Sequence, residues 1–298
     1  MAIIKKTDTF PERPVIMVLY GMPGVGKTSL FNTSKNPILL DCDRGADRSI
    51  HRQDTMMVSK WQEVLADEGE IAKYSTLGID TAKAVLDDFL MTYVGEIDYK
   101  LKTNKLKAYG AIGDEFKAFI NRRRADNIDI VIIAHAKEKE DGDMTKFSPD
   151  VTGGSKDLLL RIADQVGFIT TANNKRTIYW NPTDRTIGKN VARLPETQIP
   201  DESDPAFFDF LDTIITQVKS SIQSRTEEQR IALEKADSLK LDIEMIETPE
   251  NADAIFEEMK TLSVIQRKAL QPLFKTSCEK KGLVFDTDEK KFKCTESA

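Results

Sequence analysis

Short apolar runs alternate with longer mixed segments along the first two-thirds of the chain. The runs cover residues 15–20, 37–41, 75–80, 128–134, 166–170 and 177–180. The intervening segments that we predict to be helical are 61–70, 82–93, 114–125 and 155–163. Short apolar runs bounded by turn residues are typical of parallel strands that are covered on both faces. The alternation therefore predicts an α/β fold with a mainly parallel central sheet flanked by helices.

The pattern changes near residues 199–201. Apolar positions over 207–222 form one helical stripe, and residues 224–230 are predicted to be a charged connection. Helix-start signals follow at Pro249, which suits a first turn, and at Ser263, which opens a capping box. We predict a division into an α/β domain over 1–202, a connecting amphipathic helix over 203–225 and a small helical module over 226–298. The module carries no motif for chemistry, so we expect it to have an interaction or capping role.

Two polar stretches lack a clear period, and we predict that both are loops. Residues 100–107 are basic, and residues 137–154 are rich in turn-forming residues. Connections as long as the second are uncommon in compact domains unless they are functional or mobile. We therefore treat 137–154 as a candidate substrate loop.

The composition is that of a soluble globular protein. The 298 residues are 40% hydrophobic and 31% charged. The sequence contains no run of roughly 18 apolar residues, which is the length that a helix needs to span a bilayer. With no secretion signal at its start, we expect a cytoplasmic protein without a membrane partner. The three cysteines lack the paired spacing of a zinc site. The net charge of −6 argues against a wholly basic nucleic-acid coat, so DNA binding has to be argued locally.

The most specific motif is Gly21-Met22-Pro23-Gly24-Val25-Gly26-Lys27-Thr28, which fits the P-loop pattern between an apolar strand and a helix. Its glycines let backbone N–H groups face a phosphate, and Lys27 is predicted to contact the β and γ phosphates. Thr28 carries the hydroxyl that ligates Mg²⁺ in such loops. A plain glycine-rich turn is the alternative. The residues that we expect to contact ATP are Gly21, Pro23, Gly24, Val25, Gly26, Lys27, Thr28 and Ser29.

Three further side chains are candidates for the chemistry of the nucleotide. Asp80 ends an apolar run and is predicted to hold Mg²⁺, although it could instead cap the following helix. Asp43 is our choice to orient the attacking water, with Asp41 as its competitor; either could instead fix the turn. His135 ends the central strand and could sense the γ-phosphate or simply satisfy a buried hydrogen bond.

Two cations follow the last predicted strand. Lys189 and Arg193 could reach the triphosphate of a neighbouring subunit and stabilise charge in the transition state. A solvated turn is the alternative for each of them. If the first interpretation holds, the catalytic set is completed by a second copy of the chain.

Together these motifs resemble the phage-encoded RecA-like ATP-binding proteins of the single-strand annealing and recombination type, which are related more distantly to RecA, RadA and the DnaB-type helicases. The segments that carry the resemblance are 21–28, 40–45, 78–81, 132–137, 163–167 and 188–190. The resemblance implies a RecA-like P-loop NTPase domain. It places Asp43 where RecA-type ATPases have a catalytic glutamate, and His135 where RecA has a phosphate-sensing glutamine. Because aspartate is one methylene shorter, hydrolysis is expected to be slow or to need closure induced by DNA.

The same resemblance implies single-stranded DNA as a partner and assembly into a homo-oligomeric filament or ring. It places 137–154 at a DNA-contacting loop, where Lys137 and Lys139 could meet phosphates although neighbouring acidic residues dilute their charge. The segment 100–107 is the cleaner basic patch, with lysines that would make binding sensitive to salt; a solvated loop is the alternative. Its lysines are Lys100, Lys102, Lys105 and Lys107. The helical module resembles those that dock partner proteins.

We therefore predict a Mg²⁺-dependent ATPase that is stimulated by single-stranded DNA and acts in phage recombination or annealing, in the cytoplasm of the bacterial host. One rival is a P-loop nucleotide or small-molecule kinase, whose lid would need arginines such as those at 122–124. The other rival is a nucleotide-gated adaptor or loader with little hydrolysis, in which ATP only switches shape.

Overall fold

The computed structural model describes residues 3–5, 8, 10–142 and 144–294, without the side chains of residues 102, 103 and 105. The chain forms two compact units. One is Glu12–Ile222, and the other combines Met1–Pro11 with Gln223–Ala298. The division that the sequence predicts at 203 and 226 stays a prediction.

The strands and helices alternate through the first unit. The strands are β1 Ile16–Gly21, β2 Pro37–Asp41, β3 Asp54–Met57, β4 Thr76–Asp80, β5 Asp129–Asp141, β6 Met144–Pro149, β7 Gln165–Ala172, β8 Lys175–Tyr179, β9 Lys189–Asn190, β10 Thr197–Ile199, β11 Leu283–Asp286 and β12 Lys291–Cys294. The α-helices are α1 Lys27–Phe31, α2 Trp61–Ala66, α3 Glu68–Ile71, α4 Leu90–Ile97, α5 Tyr99–Thr103, α6 Lys105–Ala125, α7 Gly153–Ile162, α8 Phe210–Glu244, α9 Pro249–Lys260 and α10 Val264–Lys280. A π-helical turn, Ala84–Phe89, leads into α4. None of the helices that the structure describes is long and apolar enough to cross a membrane.

The central sheet has the strand order β10-β8-β7-β1-β5-β4-β2-β3. The six strands from β7 to β3 are mutually parallel, and β8, β9 and β10 add antiparallel pairs at one side. Helices cover both faces, so the predicted α/β fold is confirmed. The strand β5 lies between β1 and β4, which brings the ends of these three strands together.

Alternation along the buried strands divides the core into two layers. On β1, Ile16, Val18 and Tyr20 pack with α2, α4, α6 and α7, whereas Met17 and Leu19 pack with α1 and the first turns of α8. Because both faces of the strand are covered, its sequence is apolar without interruption. The central strands therefore form a rigid base for the loops at their carboxyl ends.

The prediction of a loop over 100–107 is wrong, because α5 and α6 occupy this segment. The Asp98 and Asn104 side chains accept hydrogen bonds from the backbone N–H groups of Lys100 and Lys107. These two N-caps start the helices. The apolar stripe of α6 begins with the buried Ala108, only one turn past the lysines, and the lysine-rich sequence hides that start.

The prediction of a loop over 137–154 is also wrong. The strand β5 continues to Asp141 and pairs antiparallel with β6, with Gly142 at φ 63° in the connecting turn. The Lys/Glu alternation over 137–140 provides charged side chains on both faces, so an apolar pattern is missing although the backbone is extended. The segment is a β-hairpin that projects from the central strand, followed by α7.

The predicted charged connection over 224–230 lies inside α8. Arg230 forms ion pairs with Glu227 and Glu234, three residues before it and four after it. Such pairs stabilise an exposed helix whose apolar stripe is weak. The charged composition therefore marks a solvated helix surface.

The second unit is built on the end of α8, α9, α10 and the β11–β12 hairpin. Its apolar core includes Leu239, Ile243, Phe274 and Phe292. Gly282 has φ 66° just after α10 ends, in the left-handed region that favours glycine at the end of a helix. The hairpin is an addition to the predicted helical module.

Candidate functional site

Strand register brings the candidate side chains to one edge of the sheet. Gly21 at the end of β1 pairs with His135 on β5, and Asp80 at the end of β4 pairs with Ile133 of β5 and Asp41 of β2. These are carboxyl ends of parallel strands, the edge at which open α/β sheets bind ligands. The P-loop, the candidate Mg²⁺ carboxylate and the candidate sensor therefore share one site.

The loop between β1 and α1 has the backbone that a phosphate cradle requires. Gly24 and Gly26 have φ values of 79° and 84°, in the left-handed region that glycine adopts without strain. A Cβ on Gly26 would also lie 2.5 Å from Nη1 of Arg176. The positive φ therefore requires glycine at position 26, whereas the Arg176 guanidinium is the end of a flexible side chain that could move aside.

Lys27 is buried and its ammonium group is held by the loop itself. Nζ donates to the carbonyl oxygens of Gly21, at 2.9 Å, and Met22, at 3.0 Å. Burial lowers the pKa of Lys27 to about 8, although Asp80 and Asp43 act in the opposite direction. An anion beside Nζ would offset that burial and restore the charged form.

Thr28 and Asp80 are in direct contact across the site. The Thr28 Oγ1 donates to Asp80 Oδ2 at 2.6 Å. Asp80 is 5% exposed, and burial raises its pKa to about 6. A hydroxyl oxygen and a carboxylate oxygen that lie side by side are ligands that suit Mg²⁺. This ion usually keeps several waters, so it needs few protein ligands. The residues present therefore fit this ion.

The two competing aspartates have different surroundings. The Asp41 carboxylate accepts hydrogen bonds from the backbone N–H groups of Gly45, at 3.0 Å, and Ala46, at 3.2 Å, so it fixes the turn after β2. Asp43 lines the cavity instead and faces His135, with 3.7 Å between Oδ2 and Nε2. The imidazole of His135 lowers the pKa of Asp43, which keeps its carboxylate ionised and able to accept a proton or orient water.

His135 is half-buried at the point where β5 leaves the sheet. Its Nδ1 is buried and has no hydrogen-bond partner among the described residues, while its Nε2 faces Asp43. The ring lies between the P-loop strand and Asp80. Both its role as a phosphate sensor and the alternative of a buried hydrogen bond stay predictions.

These residues line a cavity of about 520 Å³. Sequence reasoning missed four of its lining residues, which are Arg48, Ser49, Ile50 and Glu202. It also missed Arg176, which holds Glu202 at 2.7 Å through Nη1 and lies against Gly26. Arg176 is on β8 and Glu202 follows β10, so neither belongs to a local motif that the sequence could reveal.

The structure does not bring Lys189 and Arg193 into this cavity. Lys189 Nζ donates to the backbone oxygens of Leu160 and Ala163 at the end of α7. Arg193 is exposed and has φ 55°. Lys189 therefore ties β9 to α7, and Arg193 is available at the surface.

The predicted DNA-binding lysines lie on two different elements. Lys100 and Lys107 are exposed at the start of α5 and α6, whereas the side chains of Lys102 and Lys105 lie outside what the structure describes. Lys137 and Lys139 are exposed on the β5–β6 hairpin, where Lys139 pairs with Lys146 across the strands. By strand alternation these lysines share one face, and the acidic residues between them take the other.

The arginines at 122–124 do not form a lid. Arg122 and Arg123 both bind the Glu68 carboxylate, and Arg123 also donates to the Glu68 backbone oxygen. These contacts hold α6 against α3. The arginines that a kinase lid would need are thus engaged in packing between two helices.

Comparison with known proteins agrees with this geometry. A family model described as an AAA domain matches residues 13–192, more than half of the chain. The matched span contains the P-loop, Asp43, Asp80, His135 and the β5–β6 hairpin. No curated protein gives a significant match.

Proposed function

The chain belongs to the AAA domain family of P-loop NTPases, and from that premise we propose that it is a Mg²⁺-dependent ATPase stimulated by single-stranded DNA, acting in phage recombination or annealing. The observation that carries the ATPase is the convergence of Lys27, Thr28, Asp80, Asp43 and His135 on one cavity. Its volume of about 520 Å³ is within the usual range of roughly 300–1,000 Å³ for small-molecule sites.

ATP binding is a replacement of contacts at the P-loop. Lys27 exchanges the carbonyl oxygens of Gly21 and Met22 for phosphate oxygens, and its pKa rises as it gains an anionic partner. Thr28 and Asp80, whose side chains are in contact, would hold Mg²⁺. When bound, Mg²⁺ supplies positive charge that stabilises the charge developing on the β and γ phosphates.

Hydrolysis uses Asp43 as the group that orients water. The water oxygen bonds to the γ-phosphorus, the bond from that phosphorus to the bridging oxygen breaks, and ADP leaves with that oxygen. The water proton passes to the Asp43 carboxylate or through it to solvent. His135 at 3.7 Å keeps this carboxylate ionised, and its ring lines the cavity that the phosphates would occupy.

The coupling to DNA is supported by the continuity of β5. The strand carries His135 at the cavity, and Lys137 and Lys139 follow two and four residues later on the same face. DNA phosphates bound by those lysines would favour one position of the strand that carries His135. DNA binding would thereby change the position of His135 relative to Asp43.

Assembly into a filament or ring is part of the same proposal and rests on the resemblance of the motifs to RecA-like proteins. The exposed Arg193 is the side chain that we propose to contact a neighbouring copy. Lys189, which is bound to backbone oxygens, is left out of this role.

Steady-state ATP hydrolysis with and without Mg²⁺ tests the enzymatic part. We expect turnover that needs Mg²⁺ and is lost in Lys27→Ala. ATP binding with no turnover under any condition, DNA included, would favour the adaptor or loader. Transfer of the γ-phosphate to a small acceptor rather than to water would favour the kinase.

A further inference from the structure

A second cavity lies within the second unit, and none of its lining residues belongs to the nucleotide site. It has a volume of about 570 Å³ and lies between α9, α10 and the β11–β12 hairpin. Its walls are largely apolar and include four phenylalanines, and its lining also includes Val284, which is 55% exposed. We call it the C-terminal groove. Exposed apolar surface that is bordered by polar residues is typical of a binding site.

The wall of the groove is a fixed assembly of rings. Phe256 lies 6.0, 5.3 and 5.8 Å from the ring centres of Phe274, Phe285 and Phe292, and Phe292 is 5.0 Å from Phe285. Most of these pairs are tilted or edge-to-face, which is a favourable geometry for aromatic rings. The groove is therefore preformed, and a ligand side chain entering it would not have to order the wall.

The rim is mainly cationic. Lys260, Arg267 and Lys275 line the groove together with one acidic residue, Glu279. The Lys260 ammonium is bound by Glu257, so the charge that the rim offers comes mainly from Arg267 and Lys275. Lys275 lies 3.8 Å from Glu279 and is exposed, so that pair is weak. The Nε of Arg267 is buried and makes no hydrogen bond within the described residues. A buried guanidinium nitrogen without a partner is costly, and a carboxylate at the rim would offset that cost by its attraction to the charged guanidinium of this half-buried side chain.

We propose that the C-terminal groove binds a short acidic segment of a partner protein that carries a bulky apolar side chain. The apolar side chain enters between the phenylalanines, and flanking carboxylates face Arg267 and Lys275. This site goes beyond the proposed ATPase and does not depend on it. It gives the second unit a recruiting role.

The shape of the wall favours a peptide over nucleic acid. Bases bind by stacking on open aromatic faces, whereas here the rings contact one another and enclose a cavity. An aliphatic or aromatic side chain with carboxylates on either side matches both the cavity and the charge of the rim. The experiment must therefore distinguish peptide binding in the groove from nucleic-acid binding.

The experiment is fluorescence anisotropy with the full chain and a fluorescein-labelled peptide in which a leucine–phenylalanine pair is flanked by three aspartates on each side. We expect saturable binding that weakens with salt, and at least tenfold weaker binding when phenylalanine is replaced by alanine or the aspartates by asparagine. A dissociation constant above about 1 mM for the parent peptide would overturn the proposal.

Two protein variants and a matched control locate the site. Arg267→Ala should weaken binding about tenfold, and Val284→Asp, at an exposed position, should abolish it by placing a negative charge on the rim. Lys268→Ala is the control, because Lys268 is exposed and does not line the groove. Equal loss in the Lys268 and Arg267 variants would contradict the assignment. Circular dichroism checks that each variant is folded.

The remaining arms separate this site from the ATPase. Lys27→Ala should bind the peptide with unchanged affinity. Failure of the ATPase proposal would therefore leave the groove proposal standing, and failure of peptide binding would leave the ATPase proposal standing. An unlabelled single-stranded oligonucleotide should not displace the peptide. Displacement at oligonucleotide concentrations near those of the peptide would identify the groove as a nucleic-acid site and end the proposal.

Discussion

At the scale of single residues, Asp41 and Asp43 show how two carboxylates in one turn take different tasks. The backbone N–H groups of Gly45 and Ala46 occupy Asp41, while Asp43 faces His135 across the cavity. We expect Asp43→Asn to lower kcat by about 100-fold and to leave ATP binding near the wild-type value, because a general base contributes roughly that much. Stopped-assay turnover and titration with a fluorescent ATP analogue measure the two quantities.

The matched control is Asp41→Asn. It removes charge-assisted hydrogen bonds from the turn, so we expect a loss of stability of about 1–2 kcal/mol and a smaller loss of turnover than in Asp43→Asn. An Asp43→Asn protein that keeps the wild-type kcat would mean that another group orients the water.

Asp80 makes the stability of the nucleotide-free protein depend on pH. Burial raises its pKa from 3.8 to about 6, so between these values the folded protein holds a proton that the unfolded chain has released. The free energy of unfolding therefore falls as pH rises through this interval. We expect Asp80→Asn to remove this slope and to stabilise the protein at pH 7.5 by on the order of 2 kcal/mol.

Urea unfolding at pH 4.5 and 7.5, without Mg²⁺ or nucleotide, measures this effect as the difference between variant and wild type. Asp43→Asn serves as the control of opposite sign, because the pKa of Asp43 is lowered and its ionised form stabilises the fold. An Asp80→Asn protein that is less stable than wild type at pH 7.5 would show that the buried carboxylate does not lower the free energy of unfolding.

The residues that the sequence could predict are those whose spacing is set by a single loop. Lys27 and Thr28 belong to a continuous motif whose backbone the phosphates dictate. Glu202 reaches the same cavity from the segment after β10, and Arg176 on β8 binds its carboxylate. Their positions depend on antiparallel pairing at the side of the sheet, which local spacing does not encode.

At the scale of elements, the β5–β6 hairpin separates opposite charges onto its two faces. Lys137 and Lys139 lie on one face, and Glu138 and Glu140 lie on the other. We expect the double variant Lys137→Ala/Lys139→Ala to lower the ratio of DNA-stimulated to DNA-free ATP turnover at least fivefold and to flatten its salt dependence. The control is Glu138→Ala/Glu140→Ala, for which the ratio should be unchanged or higher. Equal ratios in the two double variants would exclude the lysine face.

Gly78 explains why β4 is less hydrophobic than its neighbours. A Cβ at this position would lie 2.5 Å from the ring of Phe31, which packs over the strand from α1. Gly78→Ala should therefore lower the free energy of unfolding by about 1–3 kcal/mol. Gly110→Ala is the control, because its Cβ would meet nothing within 4 Å on α6; it should stabilise by roughly 0.5–1 kcal/mol. Chemical denaturation compares the two, and a neutral Gly78→Ala would contradict the tight packing.

The elements that the sequence predicted well are buried, and those that it misassigned are solvated. The strands β1, β2 and β4 appear as apolar runs because both their faces are covered. The hairpin and the start of α6 carry charges on their exposed sides, so their periodicity is hidden although hydrogen bonding fixes their backbones. The same applies to α8 over 224–230, where ion pairs replace apolar contacts.

At the scale of the whole molecule, the strand order explains why distant motifs serve one reaction. Insertion of β5 between β1 and β4 places His135 between the P-loop and Asp80. The alternation of strands and helices predicted the parallel sheet, but it could not give the order of the strands, which depends on crossovers. The same strand then leaves the sheet as the hairpin, so the nucleotide and the proposed DNA contact share one element.

ATP turnover by the full chain, with and without single-stranded DNA and across a salt series, is the decisive experiment, with Lys27→Ala as the control. We expect DNA to increase turnover and this increase to decline as salt weakens the lysine contacts. Turnover should disappear in Lys27→Ala at every salt concentration. Wild-type turnover that is the same with and without DNA at low salt would contradict the proposed coupling. Turnover that persists in Lys27→Ala would contradict the assignment of the active site.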